Sequence, residues 1–257
     1  MEILIVSLVS LVASGLTFFS GFGLGTILMP VFALFFPLET AIAATALVHL
    51  LNNIFKLVLT YKSADLRVVF RFGVPALLSA FAGAYLLSKL SHLNIIASYS
   101  LFGKNFGISP VKLVIAFLLL FFSLMDLLPA FRKIQFDSKY LVAGGVLSGF
   151  FGGLSGNQGA LRSAFLIRAG LSKEAFIASG VLIACMIDVS RLVVYSGKFE
   201  SLYRADMSEL LIVASLSAFT GAYLGKHLVQ KVTLKSVQLV VALFLMMFST
   251  GLALGWI

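Results

Sequence analysis

The chain alternates long apolar runs with short loops that hold most of its charges. Runs of about 20 apolar residues match the length at which an α-helix crosses the hydrocarbon core of a bilayer. They recur from end to end, and they are continuous, without the period-two alternation of a transmembrane β-strand. The pattern predicts an all-α polytopic membrane protein. One stretch fits single spans poorly. Residues 3 to 38 carry no charge, too many residues for one span and too few for two with a turn, and Ser20-Gly21-Phe22-Gly23-Leu24-Gly25 interrupts them midway. A hairpin of two short helices that enters and leaves on one side, followed by three full spans, fits this stretch and the runs after it.

The same plan is written twice. "SAFAGAYL" at 79–86 returns as "SAFTGAYL" at 217–224, and "ETAIAATALVHLLNNIFKLVL" from Glu39 is answered by "EAFIASGVLIACMIDVSRLVV" from Glu174. Asn53 thereby meets Asp188, and Lys56 meets Arg191. "LVIAFLLLFFS" from Leu113 corresponds to "LVVALFLMMFS" from Leu239, and each half opens on a glycine-rich stretch, "SGLTFFSGFGLGTILMP" or "SGFFGGLSGNQGALRSAF". The expected architecture is two homologous repeats, 1–131 and 140–257, joined by a loop at 132–139. Each repeat is a re-entrant hairpin plus three transmembrane helices, about eight transmembrane segments in all.

Loop charges bear on orientation. Eight plain spans would divide the loop Lys and Arg evenly between the two sides. With a hairpin in each half, the loops at 62–71, 132–139, 168–173 and 226–235 share one side and hold most of them, leaving fewer at 89–112 and 198–204. Cytoplasmic loops carry such an excess, so the hairpins restore an ordinary bias, invert the repeats and put both termini outside.

Composition narrows the partners. Hydrophobic residues make up 60% of the chain and charged residues 11%, with a mean hydropathy of +1.08, which leaves no room for a soluble domain. The +9 net charge is scattered through loops, which points to topology and the lipid bilayer and away from nucleic acid. The single cysteine, Cys185, excludes an internal disulfide and a thiolate metal cluster. The opening Met-Glu lacks a basic region, so the first apolar run is expected to remain in the mature protein. No cofactor or metal is expected, and no nucleophile–base or metal-ligand spacing suggests an enzyme.

In two inverted hairpins, the second arms start inside the membrane near Gly25 and Gly159, with free N–H groups and the positive dipole end turned inward. Two such ends form an anion site. Gly23 and Gly25 in one half, and Gly156 and Gly159 in the other, allow a close backbone approach to a ligand; the alternative for Gly25 and Gly156, as for Gly15, Gly21, Gly149, Gly152 and Gly153, is that they are small residues that let helices pack. Ser155, Asn157 and Gln158 supply neutral polar groups. Arg162, one turn beyond Gly159, is a deep charge whose partner is the anionic substrate, Asp126 or Asp188. Lys56 and Arg191, with Asn53 and Asp188 a turn away, mark either the mouths of a pathway or interfacial anchors that snorkel, the latter being expected of at least one. Asp126 reads as a proton-coupling carboxylate or an interfacial anion, and His49 as a satisfied core histidine or a proton relay.

The opening "GFGLGTILMP", the helix "AIAATALVHLLNN" and the second glycine-rich opening resemble the TauE/SafE family of sulfite and organosulfonate exporters, also called the toluenesulfonate uptake permease family. The resemblance covers nearly the whole chain. It departs at "SGNQGALRSAF", where Phe165 stands opposite Pro30 and the usual proline is missing. It implies a secondary transporter of small sulfur-containing oxyanions in the cell (inner) membrane, working by alternating access at the repeat interface. An exporter of carboxylates and a non-transporting receptor or assembly subunit are the alternatives. The coupling ion, proton or sodium, the direction of transport and a homodimeric state stay open at this point.

Overall fold

The computed structural model describes residues 1–17, 23–132, 134–196, 205–228 and 234–257, with the side chains of 126, 129, 132, 205, 206, 227, 228 and 234–238 outside that description. Sequence expectations that fall on Ser20–Phe22, Lys198 and the Asp126 carboxylate therefore lie outside the described residues.

Among the described residues, five longer helices stand in each half. In the first they are α1 (Glu2–Thr17), α2 (Leu24–Ala33), α3 (Leu38–Thr60), α4 (Leu66–Ser91) and α5 (Pro110–Leu127). In the second they are α6 (Leu141–Ser155), α7 (Gly159–Leu166), α8 (Lys173–Val194), α9 (Ala205–Leu228) and α10 (Leu234–Ala253). Local chemistry sets several boundaries. Asp65 caps α4 by accepting from the Val68 N–H at 3.0 Å, and Ser172 caps α8 by accepting from the Ala175 N–H at 3.1 Å. Glu39 and Glu174 lie in the first turns of α3 and α8, where a carboxylate complements the helix dipole. Pro110 opens α5, where its missing N–H costs nothing.

Among the described residues, four helical stretches are long and apolar enough to cross a membrane: Leu38–Ser63, Leu66–Ser91, Lys173–Val194 and Met207–Lys226. Shorter apolar helices accompany them. The chain is a mostly helical, polytopic membrane protein.

The duplicated octets form two seams. In α4, Ala80 and Ala84 are buried and Gly83 packs so closely on α6 that a Cβ there would collide with the Phe150 carbonyl. From the other side, Gly145, Gly149 and Gly153 of α6 press against the Phe72, Ala76 and Ala80 carbonyls. In α9, Ala218 and Ala222 are buried, Gly221 meets the Leu11 carbonyl of α1, and a Cβ on Gly15 would stand 3.1 Å from the Gly221 oxygen. Each octet thus packs on the first helix of the other half. Small residues are needed because two backbones come nearly into contact, the usual way helices associate where no hydrophobic drive separates them from lipid.

α3 and α8, which correspond in the duplication, also touch each other. Asn53 of α3 meets its counterpart Asp188 at 3.4 Å, while Asp65, just past α3, donates its N–H to Ser179 Oγ near the start of α8 at 2.9 Å. The two helices therefore run in opposite directions.

The second glycine-rich opening doubles back. Gly156, at φ 79, ends α6 in the left-handed region that glycine adopts without strain. Beyond it the Gln158 carbonyl accepts from Ser148 Oγ at 3.2 Å, Phe165 lies against Gly144, and Phe136, before α6, stacks on Phe165 at 4.3 Å. The chain before α6 and the end of α7 thus lie side by side.

The all-α expectation needs one correction. Ala97–Leu101 (β1) and Lys104–Ile108 (β2) pair antiparallel, with Phe102 at φ 50 and Gly103 at φ 75 making a two-residue turn. Tyr99 OH donates to the Leu254 carbonyl and accepts from Trp256 Nε1, each at 2.8 Å, fastening the hairpin to the segment after α10.

Candidate functional site

The α3–α8 crossing concentrates the buried polar groups. Asp188 is fully buried. Its Oδ2 accepts from His49 Nδ1 at 2.6 Å and from the Asn53 amide at 3.4 Å, and its Oδ1 accepts from Arg191 Nη1 at 3.4 Å. Four side chains from two helices are thereby locked together. His49 is buried, and the group it meets is a carboxylate.

Both short helices come to this cluster. At the start of α2, a Cβ on Gly23 would stand 3.4 Å from His49 Nε2, and one on Gly25 would stand 3.5 Å from Thr45 and 3.6 Å from the His49 ring. At the turn between α6 and α7, a Cβ on Gly156 would stand 3.1 Å from Arg191 Nη1. A continuous line of contacts therefore runs from the start of α2 through His49, Asp188 and Arg191 to the turn before α7.

Lys56 and Arg191 are 5% and 1% exposed, so the expectation that at least one snorkels to the interface is overturned. Each instead turns inward to a group within a turn of its own helix. Arg191 finds Asp188. Lys56 finds Asn52, whose amide satisfies both ends when its oxygen accepts from Lys56 Nζ at 3.2 Å and its nitrogen donates to Ser14 Oγ at 3.0 Å and the Ala218 carbonyl at 3.2 Å. Sequence reasoning missed Asn52 and Ser14. The Asn52–Lys56 spacing of one helical turn was the signal that could have found the first of them.

Around the α6–α7 turn, several polar side chains are buried with atoms that lack a partner among the described residues. Ser155 is occupied, its hydroxyl donating to the Phe151 carbonyl at 3.0 Å and accepting from the Asn157 N–H at 3.4 Å. Both ends of the Asn157 and Gln158 amides, Arg162 Nη1, and Nε and Nη2 of Arg191 have no hydrogen-bond partner among the described residues. A buried donor left unmet costs about 1–3 kcal/mol, so such a group of them calls for an explanation. Arg162 stands in α7 one turn past Gly159, its Nε 3.4 Å from where a Cβ on Gly180 of α8 would be. It is within electrostatic reach of Asp188 and Lys56. Arg191 and Arg162 thus lie about one carboxylate, with Lys56 within reach of Arg162 and the N–H groups of α7 opening onto the same turn. This arrangement favours a bound anion. Among the described residues, no group of His, Cys, Asp or Glu could hold a metal ion.

A family model described as sulfite exporter TauE/SafE matches residues 6–254. No curated protein and no solved structure matches the chain. With nearly its whole length aligned, the chain belongs to the sulfite exporter TauE/SafE family of membrane transporters.

Proposed function

We propose that the protein is a secondary transporter that exports sulfite or small organosulfonates across the inner membrane, by alternating access between two inverted repeats, 1–131 and 140–257, joined at 132–139. The observation that carries this reading is the set of unpartnered donors at the α6–α7 turn, on Asn157, Gln158, Arg162 and Arg191. Donors that converge from a turn, a short helix and a neighbouring helix suit the several oxygens of a pyramidal or tetrahedral anion better than a planar carboxylate. Family membership supports the sulfur chemistry. Opposed α3 and α8, an α6–α7 opening that returns to its starting end, and basic loops that gather on one side under that reading all support inversion.

The test is flux. Proteoliposomes loaded with sulfite should exchange it for external labelled sulfite, and acetate should not substitute for it. Exchange of acetate as fast as sulfite would move the assignment to a carboxylate carrier. No exchange of any anion would leave a receptor or assembly subunit.

A further inference from the structure

We propose that the His49–Asp188 pair is a proton-binding site whose occupancy controls whether Arg191 is free to hold the anion, so that one proton and one anion bind together. The inference deepens the anion-transport reading and rests on it.

Its basis is the sharing of one carboxylate. Asp188 is fully buried, with His49 Nδ1 at 2.6 Å on Oδ2 and Arg191 Nη1 at 3.4 Å on Oδ1. The unpartnered donors of Arg191, Nε and Nη2, lie on a guanidinium packed against Gly156 at the α6–α7 turn. While His49 is neutral, Arg191 is the cation in direct contact with Asp188, and an incoming anion competes with the carboxylate for it. A proton taken up at His49 Nε2 leaves Nδ1–H on Asp188 and turns the ring into an imidazolium. Asp188 stays ionised and gains a second cationic partner, which releases Arg191 towards the anion. Proton and anion together bring no net charge into a site where an unpaired charge is expensive.

The surroundings bear on the proton from each side. From α2, among the described residues, Gly23 and Gly25 at the start of the helix face the His49 ring. Asn53 of α3 and Asp188 of α8 meet the ring itself; Arg191 and Arg162 act on that same Asp188, and Lys56 and Cys185 lie within reach of Arg162. Among these groups the basic side chains outnumber the carboxylate. An anion among them tips that balance, so the proton is retained while the anion is bound and leaves when the anion leaves. The coupling is reciprocal by thermodynamic necessity. It makes transport of a monoanion electroneutral. With an acidic exterior, outward flow then proceeds only once the internal anion exceeds the level that the pH gradient holds back, as in an overflow valve.

Ethanesulfonate is a suitable probe because it stays a monoanion between about pH 5 and 8, where histidine changes charge. In the purified full chain, its dissociation constant should rise about tenfold per pH unit on the alkaline side of that range, and the dependence should vanish in His49→Gln. Independently of any variant, adding ethanesulfonate to weakly buffered wild-type protein should take up protons, read as an alkaline shift of an indicator dye. Measurable binding with no proton uptake, or a pH dependence that survives in His49→Gln, overturns the proposal and leaves the anion site standing. No binding at any pH overturns the anion site as well.

Discussion

At the start of α2 the short helix faces an imidazole, and at the turn before α7 the chain faces a guanidinium. The two glycine-rich openings are set in matching frames, each first helix seamed to the octet-bearing helix of the other half. What they face has diverged. Asn53 stands where the other half has Asp188, and Lys56 answers to Arg191 but finds the Asn52 amide where Arg191 finds a carboxylate. The same octet letters recur at the two seams, where small residues are required twice. A site that binds one ligand needs no such symmetry, and there the copies are free to differ.

Three sets of substitutions test that contrast. The largest effect is expected at the buried ion pair. Arg191→Met deprives Asp188 of a buried cation and should cost about 3–5 kcal/mol in unfolding from detergent. Lys56→Met, beside a neutral amide, should cost clearly less, and equal losses would mean the two halves are electrostatically alike. Next come the seams. Gly83→Leu and Gly221→Leu each force a side chain into a neighbouring backbone, and each should lose about 1–3 kcal/mol or fail to assemble. A large loss at one with none at the other would break the matched frame. The smallest effect has the opposite sign. Gln158→Met removes an amide buried without a partner and should stabilise the unliganded protein by about 1 kcal/mol while weakening anion binding. If both stability and binding fall, the amide has a structural role.

Topology follows from the same frame. In a Cys185→Ala background, Ser138→Cys and Lys173→Cys should label from the same face and Phe102→Cys from the opposite one. Labelling of 138 and 173 from opposite faces would contradict a second opening that doubles back.

The helical, membrane-spanning plan was legible because apolar run length is a direct record of span. The β-hairpin was not. Its turn is Phe102-Gly103, without the Asn-Gly or Asp-Gly signal, and its fastening to Leu254 and Trp256 is remote in sequence. The candidate site was legible as a set of residue types but not as pairings. The sequence offers the substrate, Asp126 or Asp188 as partner for Arg162 and sets Asp188 a turn from Arg191; the structure bonds Asp188 to His49, Asn53 and Arg191. Burial of Lys56 and Arg191 was missed because four or five residues from a helix end looks close to the interface when judged on one helix alone. Neighbouring helices decide the matter. The Asp126 carboxylate lies outside the described residues.

The central claim is that the α6–α7 turn and its arginines hold a sulfur oxyanion, and comparative anion binding to the purified chain tests it most directly. Sulfite or ethanesulfonate at about 100 times its dissociation constant should stabilise the protein by about 2.7 kcal/mol, more than acetate at the same concentration or chloride at equal ionic strength. Arg162→Ala should keep the fold and lower the affinity by about one to two decades, the loss of one charge-assisted contact. Equal stabilisation by all these anions, a preference for acetate, or an affinity unchanged in Arg162→Ala would contradict the account.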